Sequence, residues 1–399
     1  MARAFSPYLF FFASLRLGVK YFCLTISTLT RLISLPDFLI SKLKNPRLIP
    51  LANIGPSSLI LPMILAGDIG GTKVNLGLFE LKAGRLKLMR EGTRPSRDYA
   101  RLQDLVKEFL IAEGSPMIER AGFGVAGPVR HGQVQVTNLP WKVEAMELAQ
   151  ELKLGPVAMI NDLEANGYGL AELPPEDLHT LNVGEHDAAG NAALISAGTG
   201  LGEAGLFWDG QQHRPFACEG GHCDFAPEND LDVELFAYLA KRFGHVSWEK
   251  VLSGQGLYNI YQFLRDTQRG EDPATLADAI KQNDPGAIIS QAALDGTSSR
   301  CRQALEMFVT YYGAEAGNLA LKLMSTGGMY IGGGIAPKIL LSLEQPNFFN
   351  AFMGKGRMQS LLAAMPIRVI LNPKTALLGA AHYAAFGPQS IPTPAAKSS

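Results

Sequence analysis

Cysteine is scarce: four in 399 residues, too few for a disulfide framework and suited to a reducing cytosol. Charge is scarce too. Charged residues make up 18% of the chain and the formal net charge is −1, so no global field would hold the protein on nucleic acid or an anionic membrane. A membrane anchor needs about 20 predominantly apolar residues. Arg16, Lys20 and Arg31 break the apolar stretches ahead of residue 42, and the uncharged run from Leu48 to Gly67 holds Pro50, Pro56 and Pro62, which suit no spanning helix. What is abundant is apolar surface, 47% of residues, and glycine, 42 of 399. The first excludes wholesale disorder, and the second exceeds the usual share of about 7%. At about 150 residues per domain the length allows two to three domains.

The charge balance hides a seam. Residues 1–62 carry seven basic residues and one acid, Asp37, whereas the remaining 337 carry 29 basic and 36 acidic residues. A basic, Ser-rich, acid-poor leader reads as a targeting segment or as an extension upstream of a start at Met63; the second reading is adopted, and 1–62 are set aside as a disordered leader. From Met63 onward strands and helices alternate, which argues for α/β architecture. Strands are expected at 63–66, 74–80, 122–126, 157–160, 192–197, 204–208 and 329–331, and helices at 101–112, 230–243 and 302–324. An apolar strand, a glycine turn and a second strand occur twice, about 130 residues apart. That duplicated plan predicts two lobes facing across a cleft, a smaller one over 63–175 and a larger one over 176–385. Residues 386–399 read as a flexible tail.

Three glycine clusters stand out. In Gly67-Asp68-Ile69-Gly70-Gly71-Thr72-Lys73, adjacent glycines let backbone N–H groups point at a phosphate and Thr72 adds a hydroxyl. Asp68, at a strand end, suits a metal-bound water or Mg²⁺. An ordinary hairpin explains this turn equally well, and no Gly-Lys-Ser/Thr closes it as a Walker motif would. The second turn, Gly198-Thr199-Gly200 in Ser196–Gly202, repeats the device, so the two could clamp a polyphosphate. Gly332-Gly333-Gly334 offers bare backbone to a flat ligand such as adenine, or merely tight strand-to-helix contact.

Carboxylates supply the rest. Asp162 follows an apolar strand, and strand C-termini of α/β sheets border ligand crevices. It can take a proton from a hydroxyl while Asn161 bonds a neighbouring one; alternatively Asp162 caps the next helix, with Glu164 in its first turn. Glu219-Gly220-Gly221-His222-Cys223-Asp224 sets two acids and an imidazole in a bend suited to a polyol. Zinc at Cys218, His222 and Cys223 lacks a second Cys/His pair, with His213 the one extra candidate. Glu249, after His245, is another acid near a turn, and alone it reads as a solvated helix residue.

Taken in order, Gly-Asp-Ile-Gly-Gly-Thr, Asn161–Asp162, Ala-Gly-Thr-Gly-Leu-Gly, Glu-Gly-Gly-His-Cys-Asp-Phe-Ala-Pro, Gly-His-Val-Ser-Trp-Glu-Lys-Val-Leu-Ser-Gly and Gly-Gly-Gly-Ile-Ala-Pro resemble the bacterial ATP-dependent glucokinases of the non-ROK type, over roughly residues 63–385. The resemblance implies a two-lobed, actin-like (ribonuclease H-like) ATPase fold and transfer of the ATP γ-phosphoryl group to the 6-hydroxyl of glucose, the first step of glycolysis, with Mg²⁺, in the cytoplasm. It implies Asp162 as general base, and Asn161, Glu219, His222 and Glu249 as sugar ligands with Thr137–Asn138 beside them. Gly67–Thr72 and Gly198–Gly200 would hold the phosphates and Gly332–Gly334 the nucleoside. A homodimer is a further expectation. Lys73 departs from the family's Asn, and the leader has no counterpart. Alternatives are a kinase for mannose, fructose or an amino sugar, a sugar-sensing regulator, for which the leader shows no helix-turn-helix, and a bare nucleotide-binding scaffold. The chain also lacks the Cys-x-Cys zinc signature of the ROK kinases.

Overall fold

The computed structural model describes residues 63–388; the leader, and the tail beyond 388, lie outside the described residues. β1 (Met63–Ile69), β2 (Lys73–Lys82) and β3 (Arg85–Pro95) form an antiparallel meander, and β4 (Ile118–Val125) pairs with β1 in parallel. A short hairpin, β5 (Gln133–Gln135) and β6 (Lys142–Glu144), stands apart, and β7 (Val157–Asn161) closes the first sheet beside β4. β8 (Leu178–Asn182) opens the second half of the chain. β9 (Ala192–Ala197), β10 (Leu201–Trp208) and β11 (His213–Cys218) make another antiparallel meander, to which β12 (Gly328–Gly332) and β13 (Ile367–Ile370) add in parallel. The strand orders are β3-β2-β1-β4-β7 and β11-β10-β9-β12-β13-β8. One plan is thus built twice, with β8 as an antiparallel edge on the second copy.

Several boundaries differ from expectation. β1 runs past Ala66 to Ile69 because Asp68 and Ile69 continue the ladder against Asn75 and Val74. β4 starts four residues early, at Ile118. β3 and β11 are edge strands with largely exposed side chains, so neither carries the apolar run by which a strand is recognised. The long helix Ser299–Leu323 begins three residues before 302, where Ser298 Oγ accepts from the Cys301 N–H.

The first core joins Leu65, Leu76, Phe109 and Phe123, and a larger one joins Ile195, Trp248, Phe263, Tyr312 and Phe348. The last helix, Thr375–Phe386, follows a strand of the second sheet yet covers the first. Its Leu377, Ala380, Ala381 and Ala384 pack against Ile64, Ala66 and Phe79. Between the sheets lies the short helix Asp162–Gly169. Its Gly169 meets the Thr375 backbone and its Ala165 carbonyl meets Gly379, so the two helices touch backbone to backbone. On the other side, Leu163 fills the space beside Gly202, and Gly167 lies against Pro215.

Candidate active site

The helix Asp162–Gly169 starts at the carboxyl end of β7, and a capping box fixes its entry. Asn161 Oδ1 accepts from the Leu163 N–H at 2.8 Å, and Glu164 Oε2 accepts from the Asn161 N–H at 3.0 Å. The cap is therefore Asn161 rather than Asp162. Asn161 also donates from Nδ2 to the Gly127 carbonyl at 3.3 Å. Asp162 is left as the first helical residue, its Oδ1 accepting only from the Leu163 N–H at 3.0 Å.

Burial pushes the Asp162 carboxyl from 3.8 up to about 7, with further pressure from the charges of Asp68 and Glu219. A shift of that size corresponds to about 4 kcal/mol. A helix N-terminus favours the anion by only about 0.3–1 kcal/mol, so the surrounding acids and the lost water win. Three carboxylates from three separate motifs are thus near neighbours. Asp68 is itself raised by burial, eased by Asn75 and Lys73. Asn75 Nδ2 donates to Asp68 Oδ2 at 2.9 Å, and Thr93 Oγ1 donates to Asn75 Oδ1 at 2.9 Å, which fixes the amide's orientation.

The first glycine turn closes with Gly70 N–H donating to the Lys73 carbonyl, and the buried Ser96 donates from Oγ to the Gly70 carbonyl at 2.7 Å. Ile69 differs from its neighbours: its side chain is fully buried in the first core and its carbonyl accepts from the Ala126 N–H. It backs the turn rather than facing a ligand. Thr72 is exposed, and Gly71 lies against the Thr137 carbonyl and Asn138 Cβ, at 3.1 and 3.4 Å from where its own Cβ would stand. Asn138 holds a left-handed φ of 64°. The loop named for sugar and the turn named for phosphate are therefore adjacent.

The second turn is tied on three sides. Gly198 N–H donates to the Gly200 carbonyl, and the Gly254 N–H donates to the Gly198 carbonyl at 2.8 Å from the start of the helix Gly254–Asp266. Glu249 Oε2 accepts from the Leu201 N–H at 3.1 Å and lies 2.6 Å from where a Gly200 Cβ would be, so this acid reaches the turn itself. Thr199 is exposed. Tyr312 joins the second cluster to the third: its hydroxyl accepts from the Ala197 N–H and donates to the Gly332 carbonyl at 3.0 Å. Gly333, at φ 84°, presses on the Ala197 backbone, whereas Gly334 is exposed and has open space around it.

Glu219 and His222 are exposed on a single 3₁₀ turn, Gly220–His222, which rests on β10 through Gly220 and Gly221. The Trp248 N–H donates to the Cys223 carbonyl and the Phe225 N–H to the Val246 carbonyl, binding this segment to the one that carries Glu249. His245 pairs with Asp224 at 2.8 Å on the surface. Asn75, Ser96 and Tyr312 are the residues that sequence reasoning missed as site supports. Asn75 becomes visible only through the β1–β2 register, and Tyr312 reads as core by its spacing while its hydroxyl does the bridging. Among the described residues no cluster of three or more ligating side chains could hold a metal, and none of the helices is long and apolar enough to cross a membrane.

A family model described as "Glucokinase" matches residues 65–386. The chain belongs to the glucokinase family. A glucokinase from Nostoc sp. is 44% identical over 340 residues, covering 82% of this chain and 99% of its own. The crystal structure of glucokinase from an Antarctic psychrotroph superposes with a TM-score of 0.69 at 31% identity, over 81% of this chain and 98% of that one. A ROK family glucokinase from Streptomyces griseus, solved with glucose and AMPPNP, shares the fold at a TM-score of 0.57 and 22% identity, over 81% of this chain and 99% of that one. The fold of this glucokinase-family chain is the α/β actin-like ATPase fold, and the duplicated sheet is its core.

Proposed function

We propose that the protein transfers the γ-phosphoryl group of ATP to the 6-hydroxyl of glucose. The observation that carries the reading is the Asp162 carboxyl, held at a strand end among two further acids with its pKa lifted to about 7. A base is most effective when its pKa lies near the working pH. Asp162 takes the proton from the sugar 6-hydroxyl as that oxygen bonds to the γ-phosphorus. The bond from γ-phosphorus to the bridging oxygen breaks, and ADP leaves with the electron pair. Glu219, His222, Asn161 and Asn138 orient the sugar through its hydroxyls. The backbone of Gly71–Thr72 and Thr199–Gly200 offers N–H groups to the phosphates, in turns closed by the Gly70 and Gly198 N–H groups, and Gly332–Gly334 lines the nucleoside. Positioning and charge stabilisation are the main catalytic terms in phosphoryl transfer.

Mg²⁺ fits this arrangement. Asp68 is half-buried, and Lys73 is the one cation acting on it, so a divalent ion neutralising phosphate charge would also relieve the carboxylate. With no three-ligand cluster among the described residues, phosphates and water would complete its shell, as is usual for this ion. Free thiols at Cys218 and Cys223, both exposed, support a reducing, cytoplasmic setting. A homodimer, expected from the resemblance, is checked by sedimentation. ADP release is the decisive assay, measured with glucose, mannose and fructose on chains starting at Met1 and at Met63. Glucose should be preferred. Faster turnover of another hexose would replace the substrate, and hydrolysis of ATP without sugar dependence would sink the reading.

A further inference from the structure

Beneath the Glu219–His222 turn lies a second acidic cluster that the proposed chemistry does not use. Glu203 on β10 is 1% exposed and Glu315 on the helix Ser299–Leu323 is 0% exposed. The two carboxyl groups are near neighbours, and each perturbs the titration of the other. Glu315 accepts from Asn318 Nδ2 at 2.8 Å and meets Lys322 Nζ at 3.4 Å, whereas Glu203 Oε1 is buried with no donor. Two carboxyl groups can hydrogen-bond only if one of them holds a proton. Burial, and then the charge of Glu315, raise the Glu203 carboxyl well above the usual range. Glu203 therefore keeps the proton and Glu315, served by two donors, is the carboxylate.

This cluster touches the sugar turn directly. Cys218, next to Glu219 in the chain, is the cross-strand partner of Glu203. Gly220 lies so close to Glu203 Oε2 that a side chain there would have to displace the carboxyl group, and Gly221 presses on the Leu201 carbonyl. We propose that Glu203 and Glu315 form a proton-sharing positioning pair that seats the Glu219–His222 turn and thereby sets hexose affinity. The inference rests on the sugar-kinase reading above. Loss of the shared proton would leave two buried negative charges side by side, and unpaired buried charge is costly enough to force movement. The groups facing the pair are Lys322 and Asn318 on the helix of Glu315 and Cys218 on β11. Lys322 is half exposed, so it offsets one charge only.

The test follows the KM for glucose, the KM for ATP and the glucose Kd from tryptophan fluorescence as pH rises from about 7 to 9.5. In the wild type the glucose KM and Kd should rise about fivefold while the ATP KM moves less than about twofold. Glu203→Gln, whose amide can donate to Glu315 at every pH, should hold both glucose constants flat. Cys218→Ser should keep the wild-type rise, which removes the thiol as its source. If Glu203→Gln fails to fold, Glu315→Gln also prevents two adjacent negative charges and carries the same expectation. The proposal is overturned if the wild type shows no rise, if the rise survives in the glutamine variant, or if it disappears in Cys218→Ser. Glucose and ATP constants drifting together would mark a plain structural role and also overturn it. The Kd reports seating even without turnover, so a lost kinase reading and a lost seating role are told apart.

Discussion

At the scale of single residues, Asp162 combines two demands that pull against each other. A base with a pKa near 7 suits the proposed proton transfer, but the same shift weakens the fold. The folded carboxyl is raised to about 7 from the ordinary 3.8 of an exposed aspartate. Between those values the unfolded chain has released a proton that the native state still holds. Stability from this group is therefore undiminished below about pH 4, falls as pH rises, and is lost in full above about pH 7. Asp162→Asn is expected to lower kcat by about 10²–10⁴-fold and to abolish the acid limb of the kcat/KM profile near pH 7. It should also melt later than the wild type at pH 8 by about 1–3 kcal/mol, with the difference vanishing near pH 4. Kinetics with calorimetry at both pH values checks the pair of outcomes. Full turnover by a folded Asn variant would remove Asp162 as the base. Glu249 makes a different contribution, since its Oε2 receives the Leu201 N–H. Glu249→Ala should raise the ATP KM about tenfold, as loss of one charge-assisted hydrogen bond implies, and Glu249→Gln, which retains an acceptor, should recover most of it. An unchanged ATP KM in the alanine variant would return Glu249 to the sugar side alone.

At the scale of elements, what matters is how separate turns are held in one arrangement. The second and third glycine clusters are joined by one phenol, because the Tyr312 hydroxyl both accepts from Ala197 and donates to Gly332. Tyr312 is fully buried, so no water can replace that oxygen. Tyr312→Phe leaves a backbone N–H and a carbonyl without partners at no cost in ring packing. At about 1–3 kcal/mol for each orphaned group, a loss of about 2–4 kcal/mol is expected, measurable by urea unfolding. Because both clusters flank the proposed nucleotide site, the ATP KM should rise while the glucose KM changes little. Equal stability of the two proteins would mean that the hydroxyl carries no strain-bearing bridge. The same logic explains the first turn, where Ser96 on a separate segment ties down the Gly70 carbonyl.

At the scale of the whole molecule, two sheets of the same plan are coupled through two short helices. The helix Asp162–Gly169 touches the first sheet through Ala165 against Gly124 and the second through Leu163 against Gly202. The last helix in the chain returns to the first sheet and meets it at Gly122, and meets the Asp162 helix at Gly379. Each contact is made at a glycine, whose missing side chain admits the Ala165 and Leu163 side chains at Gly124 and Gly202 and the facing backbone at Gly122 and Gly379. A methyl at Gly379 would strike the Ala165 carbonyl, so Gly379→Ala must push the helices apart. Overpacking of this kind costs about 1–3 kcal/mol. The displaced helix carries Asp162, and kcat is expected to fall about tenfold or more, as small misplacements of reacting groups do. Thermal melting and kcat measured together check it. A variant with native melting and native kcat would show that the helix pair tolerates separation.

Much of this was readable in the amino-acid sequence, for a physical reason. Alternating strands and helices, glycine turns and acids at strand ends leave local signatures in composition and spacing, and those sufficed for the α/β class, the repeated plan and most candidate residues, whereas Asn138 and the role of Glu249 came only from the family resemblance. Position 68 was legible as an acid at a strand end; its partner Asn75 was not, because cross-strand register is set by pairing between segments. Tyr312 reads as core from its helical spacing and Glu203 carries no local signature, since a hydroxyl bridging two turns and a proton shared by two buried acids are properties of pairs far apart in the chain. The sequence by itself determined which groups were available and what local turns they could make. Only the tertiary structure decided which acids became neighbours, and thus which lost their water and shifted their protons, because burial and proximity arise when distant segments close on one another.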